Sequence, residues 1–177
     1  MTVTKNKLNV TMTVTGGLAR WLSNKSNSDK FTKEILTGLS DFFIGKDQNA
    51  IGDRSILGSH FIDGNASKYK YPPLSPAYNR RKIAKFGKKP MLVATGELKN
   101  KAMDAQVKIK NNKSHISSKS PPPYAKFIES GTDKMPKRPV WTINTNDKKT
   151  LTTRFHEITK LMFGDLVKIT TKVERVV

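Results

Sequence analysis

The sequence contains no cysteine, which excludes disulfides and thiolate metal sites. It is also short of acid: 14 Asp and Glu stand against 33 Lys and Arg, a formal charge of +19. Carboxylates so few and so dispersed give no support to a two-carboxylate hydrolase. Histidine is rarer still. His60, His115 and His156 fall in different segments, with no HxxxH or HExxH pair and no acidic cluster beside them, so no metal site is expected. Dinucleotide and Walker A glycine loops are missing, as is the GxSxG elbow. No apolar run approaches the roughly 18–20 residues of a transmembrane helix. The polar, alternating N-terminus has no signal-peptide core. The expectation is a protein that is not an enzyme, holds no cofactor or metal, and meets no membrane. It is made in the cytoplasm and used there or carried in a particle assembled there.

What the chain does have is length for one domain, 177 residues, with a hydrophobic share of 36%. That share allows a modest core and leaves long polar segments. The expected class is α+β: a small antiparallel sheet packed with a few helices, plus extended loops or arms that contact neighbouring subunits. Leu8, Val10, Met12 and Val14 alternate with polar residues, which predicts a half-buried strand over 7–15. A short helical turn anchored by Trp21 follows. Phe31, Ile35, Leu39 and Phe42 recur at helical spacing, with Leu36 and Phe43 beside them, so a core helix is expected from Asp29, capped by Ser28 or Asp29. Residues 45–70 show no sustained period and read as a long loop or insertion with short helical pieces.

Ser75-Pro76 starts another helix, with serine as cap, proline in the first turn and Gly87 as stop. Thr95-Gly96-Glu97-Leu98 reads as a capped helix start, not a phosphate cradle. Met91, Leu92, Val93, Leu98 and Met103 are expected in the core. Alternation around Ala105, Val107 and Ile109, then Asn111-Asn112 and Ser114 to Ser118, predicts a hairpin, which makes His115 a surface or edge residue. Three prolines stiffen the approach to a short helix at Tyr124, stopped by Gly131. Pro136 and Pro139 force an extended crossing, and a strand is expected over 140–143. A last helix, capped within 144–147, buries Leu151, Phe155, Ile158 and Met162, with Leu161 broadening that side. The β-prone end, about 165–177, reads as an arm that pairs with another subunit.

Residues 66–141 hold 18 Lys and Arg against 4 Asp and Glu, interleaved with Tyr69, Tyr71, Tyr78 and Tyr124. Charge of this kind calls for a polyanionic neighbour, either nucleic acid or an acidic protein face. Arg80, Arg81, Lys82, Lys85, Lys88 and Lys89 are the expected partner-facing or DNA-facing surface. No helix-turn-helix, zinc finger or RNA-recognition signature accompanies them.

The order of turns then points further. Pro73-Leu74-Ser75 comes first, then Met91-Leu92 with Thr95-Gly96-Glu97-Leu98. Tyr124-Ala125 with Gly131-Thr132 follows, and Met135-Pro136-Lys137-Arg138-Pro139 closes the series. Over about 71–143 the chain resembles the phage virion morphogenesis family of tail completion and neck proteins. It departs from the pattern at Tyr71, where tryptophan is usual, and at Val140-Trp141, after the last proline. The resemblance implies a structural virion protein that forms a homo-oligomeric ring, of six- or twelve-fold order, at the head–tail junction. Its partners are then portal, adaptor or head-closure proteins on one side, and tail terminator or tail tube proteins on the other. Phage DNA passes through the lumen. In that reading Gly96 and Gly131 supply turns, Pro136 and Pro139 fix the crossing, and Arg138 bridges a carboxylate or carbonyl across an interface or pairs within the subunit. The alternatives are a nonspecific nucleic-acid-binding protein and a tail terminator of similar fold.

Overall fold

The computed structural model describes residues 6–13, 17–111, 113–163 and 170–176. The elements are β1 (Asn6–Thr13), α1 (Gly17–Leu22), α2 (Lys25–Ile44), α3 (Ile56–Ser59), α4 (Pro76–Phe86), α5 (Glu97–Met103), β2 (Ala105–Lys110), β3 (Lys113–Ser118), α6 (Ala125–Ser130), α7 (Thr145–Phe163) and β4 (Thr170–Val176). The fold is α+β, and it divides into two compact units. One takes Met1–Phe43, Gln106–Ser117 and Thr145–Val177; the other takes Ile44–Ala105 and Ser118–Asn144.

The first unit holds the sheet, in the order β2-β3-β1-β4. β1 runs antiparallel to β3, with Leu8 opposite Ser114, and antiparallel to β4, with Val10 opposite Val173. The C-terminal stretch, expected as an arm for another subunit, therefore pairs along the chain's own first strand. α2 begins at Lys25, earlier than expected. The Asn24 side chain accepts from the Ser26 and Asn27 amides at 3.0 and 3.5 Å. It takes the capping role, and Ser28 and Asp29 lie inside the helix. Phe31, Ile35, Leu36, Leu39 and Phe43 are buried, as their spacing predicts.

α7 buries Leu151, Phe155 and Thr159, one turn apart. The Thr159 hydroxyl is satisfied by the Phe155 carbonyl at 2.8 Å. Leu161 does not broaden that side; it is 81% exposed, because the helical step turns it away from the Leu151–Phe155 stripe. α2 and α7 approach closely at Gly38, where a Cβ would lie 2.7 Å from Ile158 Cδ1. The Phe163 ring closes this end against Trp21, in a T-shaped pair, and Phe31, in a tilted one, with both ring centroids 5.3 Å away. Ser40 and Ser114 share a buried hydroxyl pair.

The second unit is built from shorter pieces. Residues 45–70 contain two 3-10 turns, Gln48–Ala50 and Gly52–Arg54, before α3. Ala50, Ile56, Leu57 and Phe61 are buried, whereas Ile51 and Ile62 are exposed. Ser55 caps α3 by accepting from the Gly58 amide at 2.9 Å, and it donates to the Gly52 carbonyl at 2.7 Å. Gly58 packs so tightly on this turn that a Cβ would collide with the Gly52 carbonyl and sit 2.8 Å from Asp53 Cα.

His60 is buried beside this turn, stacked on Tyr69 with ring centroids 3.6 Å apart. Its Nε2 donates to the Thr142 carbonyl at 3.1 Å, and its Nδ1 pairs with the Tyr71 hydroxyl. Burial, reinforced by Lys68, lowers its pKa from 6.5 to about 3 against the opposing Thr142 bond. The strand expected over 140–143 does not form. The Val140 amide donates instead to Glu129 Oε1 at 2.8 Å, so a side chain takes the place of a neighbouring strand.

A candidate interaction groove

The second unit carries an open cavity of about 900 Å³. Its first wall is the start of α4. Ser75 accepts from the Tyr78 amide at 3.3 Å, and Pro76 occupies the first turn; Leu74 and Tyr78 face the cavity from this corner. The second wall is the segment leading into α5. Thr95 accepts from the Glu97 amide at 3.3 Å, and Met91, Leu92 and Leu98 supply apolar surface.

The third wall is α6 and the crossing after it. α6 stops at Gly131, whose φ of 76° and amide bond to the Phe127 carbonyl turn the chain. A side chain at Gly131 would also press on the Lys137 amide nitrogen, 2.9 Å from its Cβ. The backbone of Thr132 bonds that of Met135 in both directions, at 2.7 and 3.1 Å. This tight turn delivers Met135 and Pro136 to the cavity and Arg138 to its base.

Arg138 holds the first and third walls together. Its side chain is buried. Nε donates to the Pro72 carbonyl at 3.0 Å and Nη2 to the Pro73 carbonyl at 2.9 Å. Its own amide donates to the Ile128 carbonyl at 2.7 Å. Of the two roles weighed from sequence, an intersubunit bridge and an intrasubunit salt bridge, neither describes this arrangement. The partners are backbone carbonyls of the same unit, and an X-Pro-Pro run leaves such carbonyls without the usual amide donors around them. The Tyr124 hydroxyl donates to Glu97 Oε2 at 3.3 Å and so links the second and third walls. Burial, followed by the Glu97 carboxylate, raises the Tyr124 pKa.

The positions singled out in sequence thus fall around one feature. Leu74, Ser75, Thr95 and Gly96 line the groove, as do Leu98, Tyr124, Pro136 and Arg138. Ala125, Gly131, Thr132 and Pro139 do not line it; they belong to the short helix and turn that place Pro136 and Arg138.

The basic set divides. Arg80, Arg81, Lys85, Lys88 and Lys89 are exposed, and Arg81 lies on the groove itself. Lys82 is 4% exposed and does not belong to that surface. Its ammonium donates to the Pro90 carbonyl and, at 2.7 Å, to the Lys89 carbonyl. This fixes the loop after α4, and burial lowers its pKa. Phe127 and Lys134 also line the groove and were not anticipated. The signal for Phe127 was its spacing of three from Tyr124 on a short helix, which puts both rings on one side. Lys134 had none.

Among the described residues no three His, Asp or Glu side chains come together in a way that could hold a metal. Among the described residues, too, no helix is long and apolar enough to cross a membrane. No family model matches the chain, and no match was found among curated proteins or solved structures.

Proposed function

We propose that this chain is a structural subunit of a tailed-phage virion, forming a homo-oligomeric ring in the neck that joins the head connector to the tail. The supporting observation is that the three segments on which the resemblance to neck proteins rests, drawn from 73–138, wall a single groove. The polar groups there do structural work. Ser75 caps α4, Thr95 accepts from the Glu97 amide just ahead of Gly96, which is the N-cap of α5 without a side-chain bond, Arg138 ties side chain to backbone, and Tyr124 ties two walls together. These groups bond the chain to itself, and in this reading the groove is an assembly surface whose task is contact. Purified protein in negative stain is expected to form rings, and antibodies to it to label the head–tail joint of particles. A chain that stays monomeric at every concentration and is absent from particles overturns the proposal.

A second reading, nonspecific nucleic-acid binding, is favoured by the exposed Arg80, Arg81, Lys85, Lys88 and Lys89 on and just after α4. It predicts retardation of a DNA duplex at low salt with a steep loss as salt rises. Absence of any shift at low salt removes it.

A further inference from the structure

We propose that the groove of the second unit binds an extended segment of a partner protein in which apolar side chains are flanked by Asp or Glu. The inference rests on reading the groove as an assembly surface; it does not need a ring of any particular order.

The floor gives the apolar half of the argument. Leu74, Met91, Leu92, Leu98, Ile128 and Met135 line it. Around the opening stand Tyr78, Tyr124 and Phe127, which are 48%, 40% and 43% exposed. Large apolar side chains gathered about one opening mark an interaction site more often than scattered ones do. The volume of about 900 Å³ admits several side chains at once.

The charge gives the other half. The polar groups of the walls are already engaged with the chain itself, as described for Ser75, Thr95, Arg138 and the Tyr124–Glu97 pair. Among the described residues Glu97 is the only carboxylate lining the groove. Arg81 and Lys134 line it as cations, and among the described residues no ion pair engages either one. Arg80, Lys85, Lys88 and Lys89 extend the positive field over and beyond α4. An occupant must therefore match an apolar floor and a cationic rim together.

A second copy of this chain, at +19, would bring like charge to that rim. Nucleic acid matches the cationic rim and could stack on its three rings, but it leaves the aliphatic floor uncovered, and the oligo-dT arm of the test separates it from a peptide. A peptide with carboxylates beside Leu, Met or Phe matches both. Its apolar side chains act as anchors, and its charges set orientation and the rate of encounter.

The test pans the full chain against a random displayed-peptide library. Enriched peptides are then measured by fluorescence anisotropy. Sequences combining Leu, Met or Phe with Asp or Glu are expected. The double variant Arg81→Glu, Lys134→Glu should weaken them about tenfold or more, as should Phe127→Ser. Both variants change exposed side chains, and a thermal melt matching the parent verifies their fold. Enrichment of nothing, of basic peptides, or of acidic peptides lacking apolar residues overturns the proposal. So does binding that neither variant weakens, or an oligo-dT probe that displaces the peptides and loses affinity in both variants. Rings in stain without such peptides leave the ring reading standing and remove this occupant. Peptide binding by a chain that never forms rings does the reverse.

Discussion

In the first unit most of the interior comes from two helices of about five turns each, whose buried residues return on one face, with Ser114 and Ile116 of β3 beside them. In the second it is made by short turns, each held by one or two side chains bonded to carbonyls. Leu39, Leu151 and Phe155 stand for the first kind; Ser55, Lys82 and Arg138 stand for the second. The first kind of interior is distributed, so each contact is one among many. The second is concentrated: removing one tether takes the side-chain donor from named, part-buried carbonyls. The groove lies in the second kind. Its walls are positioned by individual bonds, and this lets aliphatic and aromatic side chains stay uncovered at its mouth.

The contrast can be broken most severely in the first unit by Phe155→Ala. It empties a fully buried aromatic site and should cost about 4 kcal/mol in urea unfolding. In the second unit Gly58→Ala should cost about 3 kcal/mol, because the new methyl meets backbone that cannot step aside. Its counterpart Gly38→Ala should cost about 1 kcal/mol or less, since the atom it meets is the mobile end of Ile158. Equal losses at the two glycines would contradict the distinction.

Acid should separate the units further. His60 has its pKa depressed in the folded chain, from 6.5 to about 3, so the unfolded chain takes up its proton first. Stability from this group is complete above about pH 6.5 and falls as the pH drops toward about 3. The slope approaches about 1.4 kcal/mol per pH unit within that window. His60→Gln should flatten this part of the profile between about pH 4.5 and 6.5, above most carboxylate titrations. An unchanged slope would show that the ring is protonated in place.

Arg138→Met keeps much of the stem but strands the Pro72 and Pro73 carbonyls. About 2 kcal/mol should be lost, and any peptide affinity of the groove should fall with it. Leu161→Lys, on the exposed side of α7, should change stability by less than about 0.5 kcal/mol.

The legible parts of the sequence were those where a local rule suffices. The Phe31–Ile35–Leu39 stripe, the Ser75-Pro76 start, the Gly87 and Gly131 stops and the turn at Asn111 all appear where residue type and spacing place them. Residues 45–70 were less legible, because 3-10 turns are too short to show a period and their burial depends on distant partners such as Thr142. The strand expected over 140–143 was misread for a related reason. Its β-prone side chains are real, but the Val140 amide finds Glu129.

From sequence alone, then, come the α+β class, most helix and hairpin positions and the excess of positive charge. These follow from composition and from interactions within a few residues. Only the tertiary structure decided that Lys82 points inward, that Arg138 bonds carbonyls and not a carboxylate, and that segments from 73 to 138 wall one groove. A lysine stem can lie along apolar surface or reach into solvent, and an arginine fork accepts any oxygen of suitable geometry. Which of these occurs depends on the backbone that folding brings alongside, and a linear pattern of residue types does not carry that information.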